Sequence, residues 1–189
     1  MRLSGWAYLI APYTCALALA ASIDIASAGP ARLLMTLSVG GLLVCLAIHD
    51  IRTLTLPNRL TFSLLACGLV ASASGVSVHP ALAISGALAG YLLMAVLRRG
   101  YRHWAGSEGL GGGDVKLVAA LGSWLGPQGL LPLLEWAALA GIAWWLMAGV
   151  HRCLKRLQCS SMAMDRRLPF GPCLALVGWL LLLTGNCGS

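Results

Sequence analysis

The sequence predicts an all-α fold, a polytopic transmembrane helix bundle of about six to seven spans with a cytoplasmic N-terminus. Three observations predict it. Of 189 residues, 59% are apolar and 10% are charged, against about 45–50% and about 25% in an ordinary soluble domain, so there is too little polar surface to coat a globule in water. The apolar residues run in long unbroken blocks, unlike the alternating strands of about ten residues that a closed barrel needs. The basic residues gather between alternate blocks. At roughly 20 residues per spanning helix, the length leaves no room for a sizeable soluble domain, and 1–189 reads as a single integral-membrane domain.

The blocks follow in order. The first, 5–23, comes after Arg2 and is either the first span or a signal-like segment, because Ala26-Ser27-Ala28 before Gly29 has the small-residue pattern of a secretory cleavage site; both readings cover 1–30. Cleavage there would leave every later span oriented as before. The second block, 33–49, ends at His49-Asp50, and the third, 60–78, opens after Pro57-Asn58, where proline breaks one helix and suits the start of another. The fourth, 80–97, starts at Pro80 beside His79, which marks an outside turn, and stops at Arg98 and Arg99. The fifth, 115–126, is short for a full crossing and fits a tilted or partly buried segment. The sixth and seventh are 129–150 and 170–184. Gly86-x3-Gly90 and Gly122-x3-Gly126 read as helix-packing seams, and the seven tryptophans mostly as interfacial anchors.

A net charge of +7 suggests nucleic acid until the bases are placed on this map. With the N-terminus inside, Arg2, Arg52, Arg59, Arg98, Arg99, Arg102, Lys116, Arg152, Lys155, Arg156, Arg166 and Arg167 all fall inside, and of the 13 bases only Arg32 falls outside. That is a positive-inside topology code, and no nucleic-acid partner is expected. The 7 cysteines form no CxxC pair, which argues against a zinc ribbon or a redox dithiol, and they read mainly as small buried hydrophobes. Neither a metal nor a cofactor is expected.

The 6 acids carry more information, since an ionisable side chain in a span costs at least about 2.5–3.5 kcal/mol on insertion scales. Asp24 and Asp165 lie in loops, and Glu135 reads as a snorkelling or helix-packing residue. Asp50, Glu108 and Asp114 remain. Asp50 ends the second block, and Asp114 closes Gly111-Gly112-Gly113-Asp114 and opens the fifth. Three consecutive glycines permit unusual backbone angles and close approach of another chain. Two blocks separate the two aspartates, an even number, so both end on the same side at similar depth. An aspartate at a helix start is also an ordinary cap, and spacing alone leaves that reading open.

Asp50-x6-Pro57-Asn58, Gly111-x-Gly113-Asp114-x-Lys116-Leu117 and Leu168-Pro169-Phe170-Gly171-Pro172, in that order, resemble the signature of the prepilin peptidases, membrane aspartic proteases of the GxGD type. The resemblance covers roughly 40–185. It implies a multi-pass inner-membrane endopeptidase that removes the short basic leader from type IV pilin-like precursors at the cytoplasmic face, alongside the pilus assembly machinery. The catalytic pair implied is Asp50 and Asp114. Larger members that also methylate the new N-terminus often carry paired CxxC motifs in a cytoplasmic insert; this sequence resembles the short, peptidase-only branch of tight-adherence (Flp-type) pilus systems.

Two carboxylates suffice for the chemistry: one ionised, to deprotonate water, and one protonated, to hydrogen-bond the amide carbonyl. Two close carboxylates do not both ionise cheaply, so they titrate as a pair. The ends of their own helices suggest Asp114 as the base and Asp50 as the acid. Gly111, Gly112 and Gly113 either admit an extended substrate backbone or reflect helix crowding. Lys116 either orients the pair, meets a substrate carboxylate or snorkels. Glu108 either meets the basic leader or is a solvated loop acid, while Pro57 and Asn58 set the turn that presents Asp50. The readings from other classes are a non-catalytic scaffold or small transporter component of a secretion machine, and a presenilin-like protease. The latter is expected to hold a Tyr-Asp pair deep in a span, where this chain has His49-Asp50 at a span end.

Overall fold

The computed structural model describes residues 30–53, 57–75, 77–106, 111–156 and 170–184. Within them the chain forms six helices and no strand: α1 (Pro30–Thr53), α2 (Asn58–Ala73), α3 (Pro80–Ala105), α4 (Gly112–Leu125), α5 (Leu130–Arg156) and α6 (Gly171–Leu183). The expectation of an all-α fold therefore holds for the described residues. The reading of 1–30 falls, up to residue 29, outside the described residues, as do Glu108 and Asp165.

Local chemistry sets most helix ends. Pro57 is extended (φ −67°, ψ 127°) and its carbonyl accepts from Leu60 and Thr61 N–H, starting α2. His79 caps α3, its Nδ1 accepting from Ala81 N–H at 3.4 Å, and Pro80 fills the first position, where its missing N–H costs nothing. Gly106 ends α3 in the left-handed region at φ 63° with Arg102 and His103 in the last turn. The third apolar block stops being helical sooner than its hydropathy suggests, because Gly75 (φ 73°) turns the chain and Ser72 Oγ donates to Val78 O at 2.6 Å across that turn.

Each helix buries one stripe. In α1 the stripe is Val39, Leu43, Leu46, Ala47 and Asp50, a helical spacing that carries Asp50 onto the core face. In α2 it is Thr61, Leu64, Gly68 and Ser72. Helix α4 differs: from Asp114 to Leu125 every side chain but Lys116 is buried. The short fifth block is thus the hub of the bundle, packed on α2, α3, α5 and α6, while α6 also packs on α1 and α5. At 14 residues, α4 is about 21 Å long, less than the roughly 30 Å of a hydrocarbon core.

The expected glycine seams face each other. A Cβ on Gly86 would overlap the Gly122 carbonyl oxygen, and one on Gly122 would overlap that of Gly86, so α3 and α4 cross in backbone contact. Residues Pro80–Trp104 and Leu130–Met147 are long and apolar enough to cross a membrane. Leu88, Leu92 and Val96 on α3 and Leu139, Ile142 and Met147 on α5 are exposed, an apolar exterior unlike that of a soluble core helix. One expectation is corrected here. Cys45 and Cys67 are exposed, not buried, because small apolar side chains sit freely on an apolar exterior. Of the described tryptophans, Trp104, Trp136 and Trp145 are exposed, whereas Trp124 and Trp179 are core residues, each filling the gap left by a glycine, Gly68 and Gly40 respectively.

Candidate active site

Five helix ends meet at one end of the bundle. Contacts of Gly86 with Gly122 and of Gly112 with Arg98 set α3 and α4 antiparallel, and contacts of Gly40 with Trp179 and of Asp50 with Gly171 do the same for α1 and α6. The result gathers the C-terminal ends of α1 and α3 with the N-terminal ends of α2, α4 and α6. Asp50, in the last turn of α1, and Asp114, in the first turn of α4, are brought together there and interact through their charges. They are 5% and 8% exposed, the only buried acids among the described residues.

Each carboxylate rests on a helix N-terminus that opens with a glycine. Gly111 is the N-cap of α4 (φ −64°, ψ 137°) and its N–H donates to Asp114, which reaches back from the third helical position as the acid of a capping box does. Asp50 accepts the N–H of Gly171, the first residue of α6. The difference expected from helix ends therefore loses its premise, because Asp50 faces the N-terminus of α6 as well as lying at the C-terminus of α1. His49 also interacts with Asp50 through charge.

The supporting residues divide. Of the two properties that a glycine run permits, unusual backbone angles are not used: none of Gly111, Gly112 and Gly113 is among the positive-φ residues, and Gly112 and Gly113 lie inside the first turn of α4. What Gly112 supplies is closeness: a Cβ there would lie 2.9 Å from Arg98 Nη1. Lys116 Nζ donates to Asn58 Oδ1 at 2.6 Å and so ties the start of α4 to the start of α2, beside Pro57. A cavity of about 270 Å³ beside that first turn is lined by Tyr91, Arg98, Arg99, Arg102, Gly112 and Lys116. Lys116→Met is expected to cost about 1 kcal/mol, the worth of a partly exposed hydrogen bond, read as a shift in the unfolding midpoint with the slope unchanged.

Gly171 was quoted in a motif but had no role in the sequence reading. The usable signal was Phe170-Gly171-Pro172: proline in a first helical turn marks a helix start, and the glycine before it lets another side chain sit on that start. What that side chain would be is a matter of tertiary packing.

The model of the type IV leader peptidase family matches residues 37–146, a stretch that includes both aspartates. The chain is also similar to proteins named prepilin leader peptidase/N-methyltransferase. That of Aeromonas hydrophila is 40% identical over 144 residues, 76% of this chain and 47% of the relative. That of Pectobacterium carotovorum subsp. carotovorum is 43% identical over 136 residues, 72% and 46% respectively. In Dickeya chrysanthemi the figures are 39% over 150 residues, 79% and 50%. The chain spans about half the length of these curated relatives. No solved structure matches it. A match over more than half of the chain, containing both aspartates that the fold brings together, shows that the chain belongs to the type IV leader peptidase family.

Proposed function

We propose that this chain is an integral-membrane aspartic endopeptidase that removes the short basic leader from type IV pilin-like precursors. The observation that carries the reading is the pair of buried carboxylates, Asp50 and Asp114, meeting across α1 and α4 with a backbone N–H held to each. Two buried carboxylates that interact through their charges are costly to ionise together, so the resting pair holds one proton. The ionised member takes a proton from water as the water oxygen adds to the amide carbon. The protonated member hydrogen-bonds the carbonyl oxygen and supports the tetrahedral intermediate. Collapse breaks the C–N bond with a proton delivered to the departing nitrogen, leaving a leader carboxylate and a new amino terminus.

The finer reading places this chemistry at the cytoplasmic face of the inner membrane. Arg98, Arg99, Arg102 and Lys116 lie at the same end of the bundle as the carboxylates, and basic residues mark the cytoplasmic side. Acidic lipid headgroups there draw a basic leader to the same surface in spite of those bases. The precursors are of the Flp type, and their cleavage feeds a pilus assembly machine. Co-expression with a pilin-like precursor tests the reading. The expected result is a leader-sized mobility shift that depends on this chain; an unprocessed precursor in the presence of folded chain contradicts it.

A further inference from the structure

We propose that Gly171 is a positioning residue for Asp50, through the absence of its side chain as much as through its N–H; this deepens the aspartic-protease reading and rests on it. A Cβ at Gly171 would lie 2.5 Å from Asp50 Oδ2, 3.0 Å from Cγ and 3.4 Å from Cβ. The carboxyl group therefore lies directly over the glycine α-carbon and accepts its N–H. Pro172, next in the chain, has no N–H to offer, so Gly171 supplies the donor at this helix start.

The seat has no room to retreat. Further along α6, Gly178 is so close to α4 that a Cβ would meet Leu121 Cδ2 at 2.7 Å, and Trp179 packs against Gly40 of α1, where a Cβ would meet the indole at 2.6 Å. Phe170, the N-cap, is flanked by Gly141 of α5 at 3.4 Å by the same measure. Helix α6 is thus wedged between the two helices that carry the aspartates. A methyl group at 171 moves the short Asp50 side chain, not the helix, and the movement takes the carboxylate off its line to Asp114. Misplacing a reacting group by about 1 Å costs on the order of 100-fold in rate.

Three variants separate this from general loosening. Gly171→Ala is expected to lower kcat for leader removal at least about 100-fold with KM unchanged. Gly41→Ala, with nothing within 4 Å, leaves kcat at the wild-type value. Gly178→Ala loosens the same helix far from the carboxylate and lowers Tm while leaving kcat per folded molecule within about threefold. A stability cycle reads the contact without any catalysis: Gly171→Ala is expected to lower Tm by about 5 °C in the wild-type background and by less than about 1 °C in Asp50→Ala, where the carboxyl group is gone. Wild-type kcat in Gly171→Ala, equal kcat losses in Gly171→Ala and Gly178→Ala, or equal Tm shifts in both backgrounds would each overturn the proposal. Full cleavage by Asp50→Asn would instead remove the aspartic-protease reading, and the stability cycle would still decide the contact.

Discussion

Asp114→Asn and Asp50→Asn are each expected to lower kcat for leader removal by at least about 10³-fold and to leave the helix bundle folded. Asparagine has the shape of aspartate and keeps an oxygen for the Gly111 or Gly171 N–H, so neither seat is emptied. It does not exchange a proton with water or with a leaving nitrogen. Each substitution also removes one of two ionisable groups that share a buried site, so Tm is expected to stay level or rise. Loss of activity with retained stability shows that the loss lies in the chemistry and not in unfolding of the bundle. In the unsubstituted chain the pH dependence of kcat/KM is expected to be bell-shaped, its two limbs belonging to the pair and not to either residue alone. Steady-state cleavage with thermal unfolding in the same detergent measures both.

Gly122→Leu is expected to destabilise the chain by about 3 kcal/mol or more. Gly122 and Gly86 are in mutual backbone contact, and a Cβ on Gly86 would also meet Gly126 backbone atoms at 2.8 Å, so the side chain has no flexible neighbour to displace. Helices α3 and α4 must separate to admit it. Helix α4 is packed on four others and carries Asp114 two turns away, so the molecules that remain folded are expected to cleave slowly as well. Gly100→Leu, on an open face of α3 with nothing within 4 Å, is expected to change stability by less than about 1 kcal/mol, the helical cost of glycine being relieved. Unfolding in mixed micelles compares the two.

How far the sequence led differs from residue to residue, for physical reasons. Helices were legible because apolar blocks bounded by Pro, Gly and charge are local signals; Pro80 and Gly106 bound α3 by backbone chemistry alone. The meeting of Asp50 and Asp114 at one end followed from parity, since two intervening blocks return the chain to the same end. The shortness of 115–126 showed that α4 is unusual, but burial on every side depends on neighbours that hydropathy does not name. Two local readings went astray for the same reason. Asp114 looked like an N-cap, yet the helix opens at Gly112 and Asp114 reaches back to Gly111. Asp50 looked like a residue at a helix C-terminus only, because α6, the helix whose N-terminus it touches, lies more than a hundred residues further along the chain. Long-range packing of that kind also hid the tie between Lys116 and Asn58.

The central claim is that Asp50 and Asp114 together hydrolyse a leader peptide bond. Its most direct test is mass spectrometry of a purified pilin-like precursor incubated in lipid vesicles with the purified chain and no other protein. The expected result is two fragments whose masses sum to the precursor plus one water with the unsubstituted chain, and intact precursor with Asp50→Asn or Asp114→Asn. Intact precursor with the unsubstituted chain, or the same two fragments at an undiminished rate from either asparagine variant, would contradict it.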